Sequence, residues 1–253
     1  MRLDHCTWFE VDAYLTRCRG IIIPVGSTEQ HGPLGLIGTD SHVARAAAER
    51  VGDITGALVA PALTVTPAPF NLSFPGTISI NAELFSCMLK EIVTGLAGQG
   101  FRRFYFLNAH GANLESLTAL RCDDPGTRVM TRSWWDFSPV QTMRDDLYGD
   151  WEGVHATPSE IAITQIDHRR IAVSEESREP PARLDRATLT SLTGDRHGPP
   201  DGHRRRYPDG RVGSHSALAR PEHGRQLLDL VVRCVVEDYN QFVSDDSIAD
   251  QAE

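Results

Sequence analysis

Residues 26–40, GSTEQHGPLGLIGTD, bring Glu29, His31 and Asp40 together in one short loop relieved by Gly26, Gly32, Gly35 and Gly38. Glu29 and His31 are two apart, so in extended backbone their side chains leave the same side of the chain. Two carboxylates and an imidazole without a thiolate suit a zinc, manganese or iron(II) ion. The same loop also admits a plainer explanation, a polar turn whose Asp40 only caps the next helix. A second imidazole, His110, stands in NAHGAN, and a third group, DWEGVHATPSE, carries Trp151, Glu152, His155 and Glu160. In the first turn of a helix Glu160 could simply face the macrodipole. Turned inward beside Ile161 and Ile163, it would need a cation to offset its desolvation.

The elements that must position these groups can be read from periodicity. GIIIPVG (20–26) is a continuous apolar run, the mark of a strand buried on both faces. DSHVARAAAERVG follows as a helix with Asp40 as its N-cap and a glycine stop. Residues 57–66 are expected as the next strand, with Pro61 hinting at an edge. Helix 81–100, strand 102–108, a short helix from Leu114, strand 127–137, a helix from Pro158 and a long amphipathic C-terminal helix complete the pattern. This alternation predicts a single α/β domain over 1–253, with a mostly parallel sheet covered by helices on both faces. Glu29, His31 and His110 all follow strand ends, the edge where open parallel sheets place ligands. Residues 174–215 are rich in Pro, Gly, Arg and Asp and are expected as a polar excursion, a lid or a subunit contact. His197, His203, His215 and the run Arg204–Arg206 are expected there in solvent. His42 is expected on a helix surface, and Trp134 and Trp135 at a strand end or subunit interface. A short acidic tail closes the chain and is expected to fray.

Composition narrows the class. The 253 residues are 40% hydrophobic and 23% charged, ordinary for a folded domain, and the formal net charge of -9 disfavours a nucleic-acid partner. No apolar run approaches the ~20 residues that span a bilayer, and the N-terminus shows no signal-peptide pattern, so a cytoplasmic protein without membrane partners is expected. The five cysteines are scattered and form no CxxC pair. They are expected as small buried hydrophobes rather than disulfides or zinc ligands. Neither GxGxxG nor GxxxxGK[ST] occurs, which removes a nucleotide-binding reading.

VGSTEQHGPLGLIGTD, FPGTIS, LNAHGAN and GVHATPSE resemble, in order, the successive signatures of the creatininase (creatinine amidohydrolase) family. The resemblance runs from about Ile21 to Ile166. It implies a hydrolase with two divalent ions (zinc, manganese or iron), a small-molecule substrate and a homo-oligomer, often a hexamer. It further implies that Asp40 bridges both ions, Glu29 and His110 complete one site, and His31 and Glu160 the other. His155 matches the catalytic histidine, Trp151 and Glu152 a substrate-contacting pair, and Ser73 and Gly111 further substrate positions. Where the family reads HGPHLP, this chain reads HGPLGL, with Leu34 and Gly35 in the altered stretch. Gly111 and Ala112 replace a Tyr-Glu pair of creatininases proper, which turns the expectation away from creatinine itself.

Paired divalent ions lower the pKa of a shared water toward ~7 and so provide a nucleophile at neutral pH. His155, with Glu152 holding its tautomer, is expected to protonate the leaving nitrogen. The expected reaction is hydrolysis of a cyclic amide or other non-peptide C–N bond. The alternatives are a formamide, the end of a modified peptide, or a non-catalytic, metal-stabilised assembly subunit.

Overall fold

The apolar run Gly20–Val25 is strand β1, buried at every residue. In this computed structural model, which describes residues 1–122, 124–194 and 196–244, β1 lies at the centre of a parallel sheet. It pairs with β2 (Leu58–Val59) and β3 (Arg103–Asn108), and β3 pairs with β4 (Arg128–Ser133), giving the order β2-β1-β3-β4. Strand alternation divides the core in two. Ile22, Tyr105 and Leu107 face one layer, while Ile21, Ile23, Val25, Phe104 and Phe106 face the other.

Helices α1 (Trp8–Leu15), α3 (Ala82–Gly98) and α4 (Leu114–Ala119) cover the second face through Tyr14, Phe85, Leu89, Val93 and Leu117. The first face is covered by α2 (Thr39–Thr55), α5 (Ser138–Tyr148), α6 (Pro158–Asp167) and α10 (Pro221–Ser244). In α2 the inward stripe Val43, Ala44, Ala47, Ala48 and Val51 keeps helical spacing, and small side chains let α2 lie close to β1.

Several expectations are corrected. The strand expected over 57–66 keeps only Leu58 and Val59 before Pro61, which has no ladder donor; a lone bridge from Val25 to Leu63 follows. Asp40 is not the N-cap of α2: the helix starts at Thr39 behind Gly38, so Asp40 sits inside the first turn. Helices α1 and α5 were not anticipated. The five cysteines are free thiols, none fully buried and Cys87 exposed. The tail expected to fray lies outside the described residues. Among those that are described, no helix is long and apolar enough to cross a membrane.

The 174–215 segment is not a solvated loop. It contains α7 (Glu175–Arg178), α8 (Arg186–Leu192) and α9 (Pro200–Arg206), and Leu192, Tyr207 and Val212 form a small core of their own. Val212 pairs with His155 in an antiparallel bridge, and the His215 amide donates to the Trp151 carbonyl at 2.9 Å. His203 is buried, with its ring edge on Phe70 at 5.0 Å.

Gly26 ends β1 where α2 comes closest. A Cβ there would lie 2.3 Å from the Ser41 amide nitrogen, a backbone atom that cannot swing aside. Gly26→Ala is expected to destabilise the fold by about 1–3 kcal/mol through overpacking, read as a lower denaturation midpoint. It should also push Asp40 out of place, because Asp40 adjoins Ser41 in the same turn.

Candidate metal centre

The loop after β1, the loop after β3 and the first turns of α2 and α6 meet at the carboxyl edge of the sheet. They bring Glu29, His31, Asp40, His110, His155 and Glu160 together, all buried. The residues fall into three overlapping groups whose ligand atoms lie within 4.8 Å of one another: Glu29–Asp40–His110, His31–Asp40–Glu160 and Glu29–His31–His155. Asp40 is common to the first two. Its Oδ1 stands 2.9 Å from His31 Nε2, and its Oδ2 stands 3.1 Å from His110 Nδ1.

Backbone carbonyls preset the imidazoles. Nε2 of His110 donates to the Pro67 carbonyl at 2.8 Å, so in a neutral ring Nδ1 carries the lone pair. That lone pair faces Glu29 Oε1 at 3.2 Å and Asp40 Oδ2 at 3.1 Å. Both oxygens are buried without a hydrogen-bond partner. Three electron-rich atoms converging out of water require a cation among them, or a second proton on the ring. His31 is arranged the same way: Nδ1 faces the Glu29 carbonyl at 3.1 Å, leaving Nε2 toward Asp40 and, at 3.8 Å, toward Glu160. Such outer partners are what orient metal-binding histidines in general. Asn71 donates to Glu29 Oε2 at 2.7 Å and fixes that carboxylate.

The charge states follow from burial opposed by neighbours. Burial disfavours imidazolium at His31, but Asp40, with Glu160 and Glu29 behind it, outweighs this and lifts its pKa to about 10. Burial raises Glu160 to about 7, only partly countered by His31. It also raises Glu29, against His110. Asp40 is held below the usual carboxylate range, since His31 and His110 overcome its burial. In chelated protein, the folded chain therefore holds a proton on His31 that an unfolded chain, with its His near 6.5, gives up. The stability this contributes is full below about pH 6.5 and is lost as pH rises toward about 10. The chelated protein should melt at progressively lower temperature across that window. Zinc-loaded protein should show the opposite slope, because cation and proton compete for the same nitrogen.

Other expected positions fall differently. Glu152 does not hold His155: its Oε1 accepts from Arg144 Nε at 2.9 Å and from Ser159 Oγ, and its Oε2 has no hydrogen-bond partner. His155 is held instead by Gln30, whose carbonyl lies 2.8 Å from Nε2, and is flanked by Asn71. Sequence reasoning missed Gln30, Asn71 and Arg144; only the position of Gln30 between Glu29 and His31 could have pointed to it. Trp151 is half-buried, with the Arg183 guanidinium over its ring at 5.1 Å and His215 at its edge. Ser73 donates to Asp201 at 2.6 Å, and its carbonyl accepts from Arg204, so it is tied to α9. Gly111 opens a single 3-10 turn directly after His110. His42 stacks on His168 at 3.8 Å, outside the centre, and Trp134 packs at the end of β4.

The chain matches the family described as "Creatininase: Creatinine amidohydrolase" over residues 4–239. Among curated proteins it is 37% identical over 106 residues to 3-dehydro-scyllo-inosose hydrolase of Thermotoga maritima, covering 42% of this chain and 34% of that protein. It is 37% identical over 105 residues to the mycofactocin precursor peptide peptidase of Mycolicibacterium smegmatis, covering 39% and 42%. These matches therefore span well under half of either relative. Creatinine amidohydrolase of Pseudomonas putida is 28% identical over 182 residues, 64% of this chain and 69% of that one. A solved structure described as "Creatininase Mn" superposes with a TM-score of 0.72 at 21% identity, covering 96% of this chain and 98% of the other. That likeness extends the shared fold across both layers of the sheet. With the family's pattern running through nearly every element described above, the chain belongs to the creatininase (creatinine amidohydrolase) family.

Proposed function

We propose that this chain is a hydrolase using two divalent metal ions to cleave a cyclic amide or another non-peptide C–N bond. The observation that carries the proposal is the pair of buried, partnerless carboxylate oxygens, Glu29 Oε1 and Asp40 Oδ2, facing the lone-pair side of His110. Glu29, Asp40 and His110 would hold one ion, and His31, Asp40 and Glu160 the other, with Asp40 shared. Bound there, zinc, manganese or iron would polarise a carbonyl and make water a nucleophile near neutral pH. His155 would take a proton from the attacking water and return it to the leaving nitrogen. Trp151, Ser73 and Gly111 are proposed as substrate-side positions. The homo-oligomer expected from the family is carried as part of the same proposal.

Gly111 and Ala112 follow His110 without the Tyr-Glu pair, so the substrate proposed is one other than creatinine. The similarity to a precursor-peptide peptidase favours a modified-peptide end as the second reading. Metal analysis of protein purified without chelator, followed by a panel of creatinine, formamides, hydantoins, lactams and short peptides, separates these readings. About two equivalents of metal with turnover of a lactam or hydantoin supports the proposal. Less than one equivalent overturns it in favour of a non-catalytic subunit.

A further inference from the structure

Resting on the reading of His155 as the proton carrier, we infer that this residue works through Nδ1. The Gln30 carbonyl locks it as the Nε2–H tautomer, with Gln30, Asn71 and Gly210 as positioning residues. Among the described residues, three polar atoms lie near Nε2: the Gln30 backbone oxygen at 2.8 Å, the Gln30 side-chain Nε2 at 2.9 Å and Asn71 Nδ2 at 3.4 Å. The first can only accept and the other two can only donate, so they cannot all be satisfied by one ring nitrogen.

The surrounding bonds decide which one prevails. Gln30 Oε1 accepts from the Gly32 amide at 2.7 Å, which fixes the orientation of the side-chain amide. Its Nε2 has two hydrogens, and two acceptors wait for them: Asn71 Oδ1 at 2.8 Å and the Gly210 carbonyl at 3.1 Å. Asn71 in turn spends a hydrogen on Glu29 Oε2 at 2.7 Å, which fixes its own amide. No hydrogen of the Gln30 side chain is left for His155. Asn71 keeps a second hydrogen, but at 3.4 Å it makes the longest of the three contacts, and the Gln30 carbonyl at 2.8 Å prevails: His155 Nε2–H donates to it. In the neutral ring the lone pair then lies on Nδ1, which faces Glu29 Oε1 at 3.5 Å, on the side of the carboxylate cluster. A proton taken from water would bond to Nδ1 and leave from Nδ1 to the departing nitrogen, while Nε2 keeps its own proton throughout.

Gly210 makes the 174–215 segment part of this lock. Its φ is +83°, and a Cβ there would fall 1.9 Å from Gln30 Oε1. No residue with a side chain fits without displacing Gln30, and with it the carbonyl that holds His155. Gln30 therefore joins the loop after β1, the Asn71 turn and the distal segment at a single amide.

The test is nitrogen NMR of zinc-loaded protein labelled with 15N-histidine, with the His155 ring signals assigned by their loss in His155→Gln. The expected spectrum has a protonated, pyrrole-like Nε2 and an unprotonated Nδ1. Gln30→Met keeps the side-chain length but removes every amide bond, and Gly210→Ala presses on Gln30 from the other side. Each should shift the His155 signals toward a mixture of tautomers while leaving those of His31 and His110 in place. Gln30→Met keeps the test open should Gly210→Ala fail to fold. On whichever panel substrate turns over, Gln30→Met should lower turnover by up to about a hundredfold, the scale of a 1 Å misplacement. A proton on Nδ1 in the parent protein overturns the inference. So do unmoved His155 signals in both variants, or equal movement of His31 and His110. Failure to take up zinc would count against the metal reading alone; the inference is then judged on Nε2, which should carry a proton with or without metal, and a bare Nε2 overturns it.

Discussion

Asp40→Ala should remove tight divalent-metal binding and activity in one step. Asp40 is the one carboxylate that belongs to both three-residue groups around it, giving one oxygen to the side of His31 and the other to the side of His110. Loss of an outer partner of a metal ligand alone lowers affinity about 10–100-fold, so loss of a shared ligand should exceed a hundredfold. Calorimetric titration of chelated protein with zinc reads this directly, and an affinity within about tenfold of the parent would sink the assignment. The same variant carries an internal control. Without Asp40 the main support of the His31 imidazolium is gone. The pH-dependent loss of stability expected of chelated parent protein should then flatten. A variant that had merely unfolded would show no cooperative transition at any pH.

His155→Ala should behave in the opposite way, keeping the metals and losing turnover. General acid–base assistance contributes about 10²–10⁴-fold, so a fall of at least a hundredfold is expected on whichever panel substrate is active. Metal per chain should stay at the parent value, because Glu29, His31, Asp40, His110 and Glu160 remain. The geometry makes this a sharp comparison: His155 also lies in a group with Glu29 and His31. If metal content falls in step with turnover, His155 is a ligand rather than a proton carrier. Near-normal turnover removes it from the chemistry altogether.

Much of the frame was legible because it rests on long, one-signed patterns. GIIIPV, bounded by glycines, reads as a strand buried on both faces, and the alanine-rich run after it as a helix; both form. The six residues expected at the centre meet there because strand ends and helix starts are themselves set by those patterns. What escaped was written in weaker signals. Helix α1 exposes Trp8 and Phe9 beside its inward Val11, Tyr14 and Leu15, which blurs the apolar stripe, and α5 buries only Val140 and Tyr148. The 174–215 segment looked solvated because its few apolar residues are spread thinly, yet Leu192, Tyr207 and Val212 gather into a small core against Val154 and Leu184. Gln30 and Asn71 carry no charge to titrate and belong to no ligand class, so nothing in composition distinguishes them. Glu152 was assigned to His155 by nearness in sequence, while in space Arg144 and Ser159 reach it first.

Glu160 Oε1 accepts the Thr157 amide at 2.5 Å, closing the capping box of α6, and the same atom lies 3.8 Å from His31 Nε2. One oxygen thus serves as the doorstop of a helix and as a wall of the charged chamber. A change of charge at that oxygen is therefore felt in two places at once, beside His31 and at the N-cap of α6 two residues after His155.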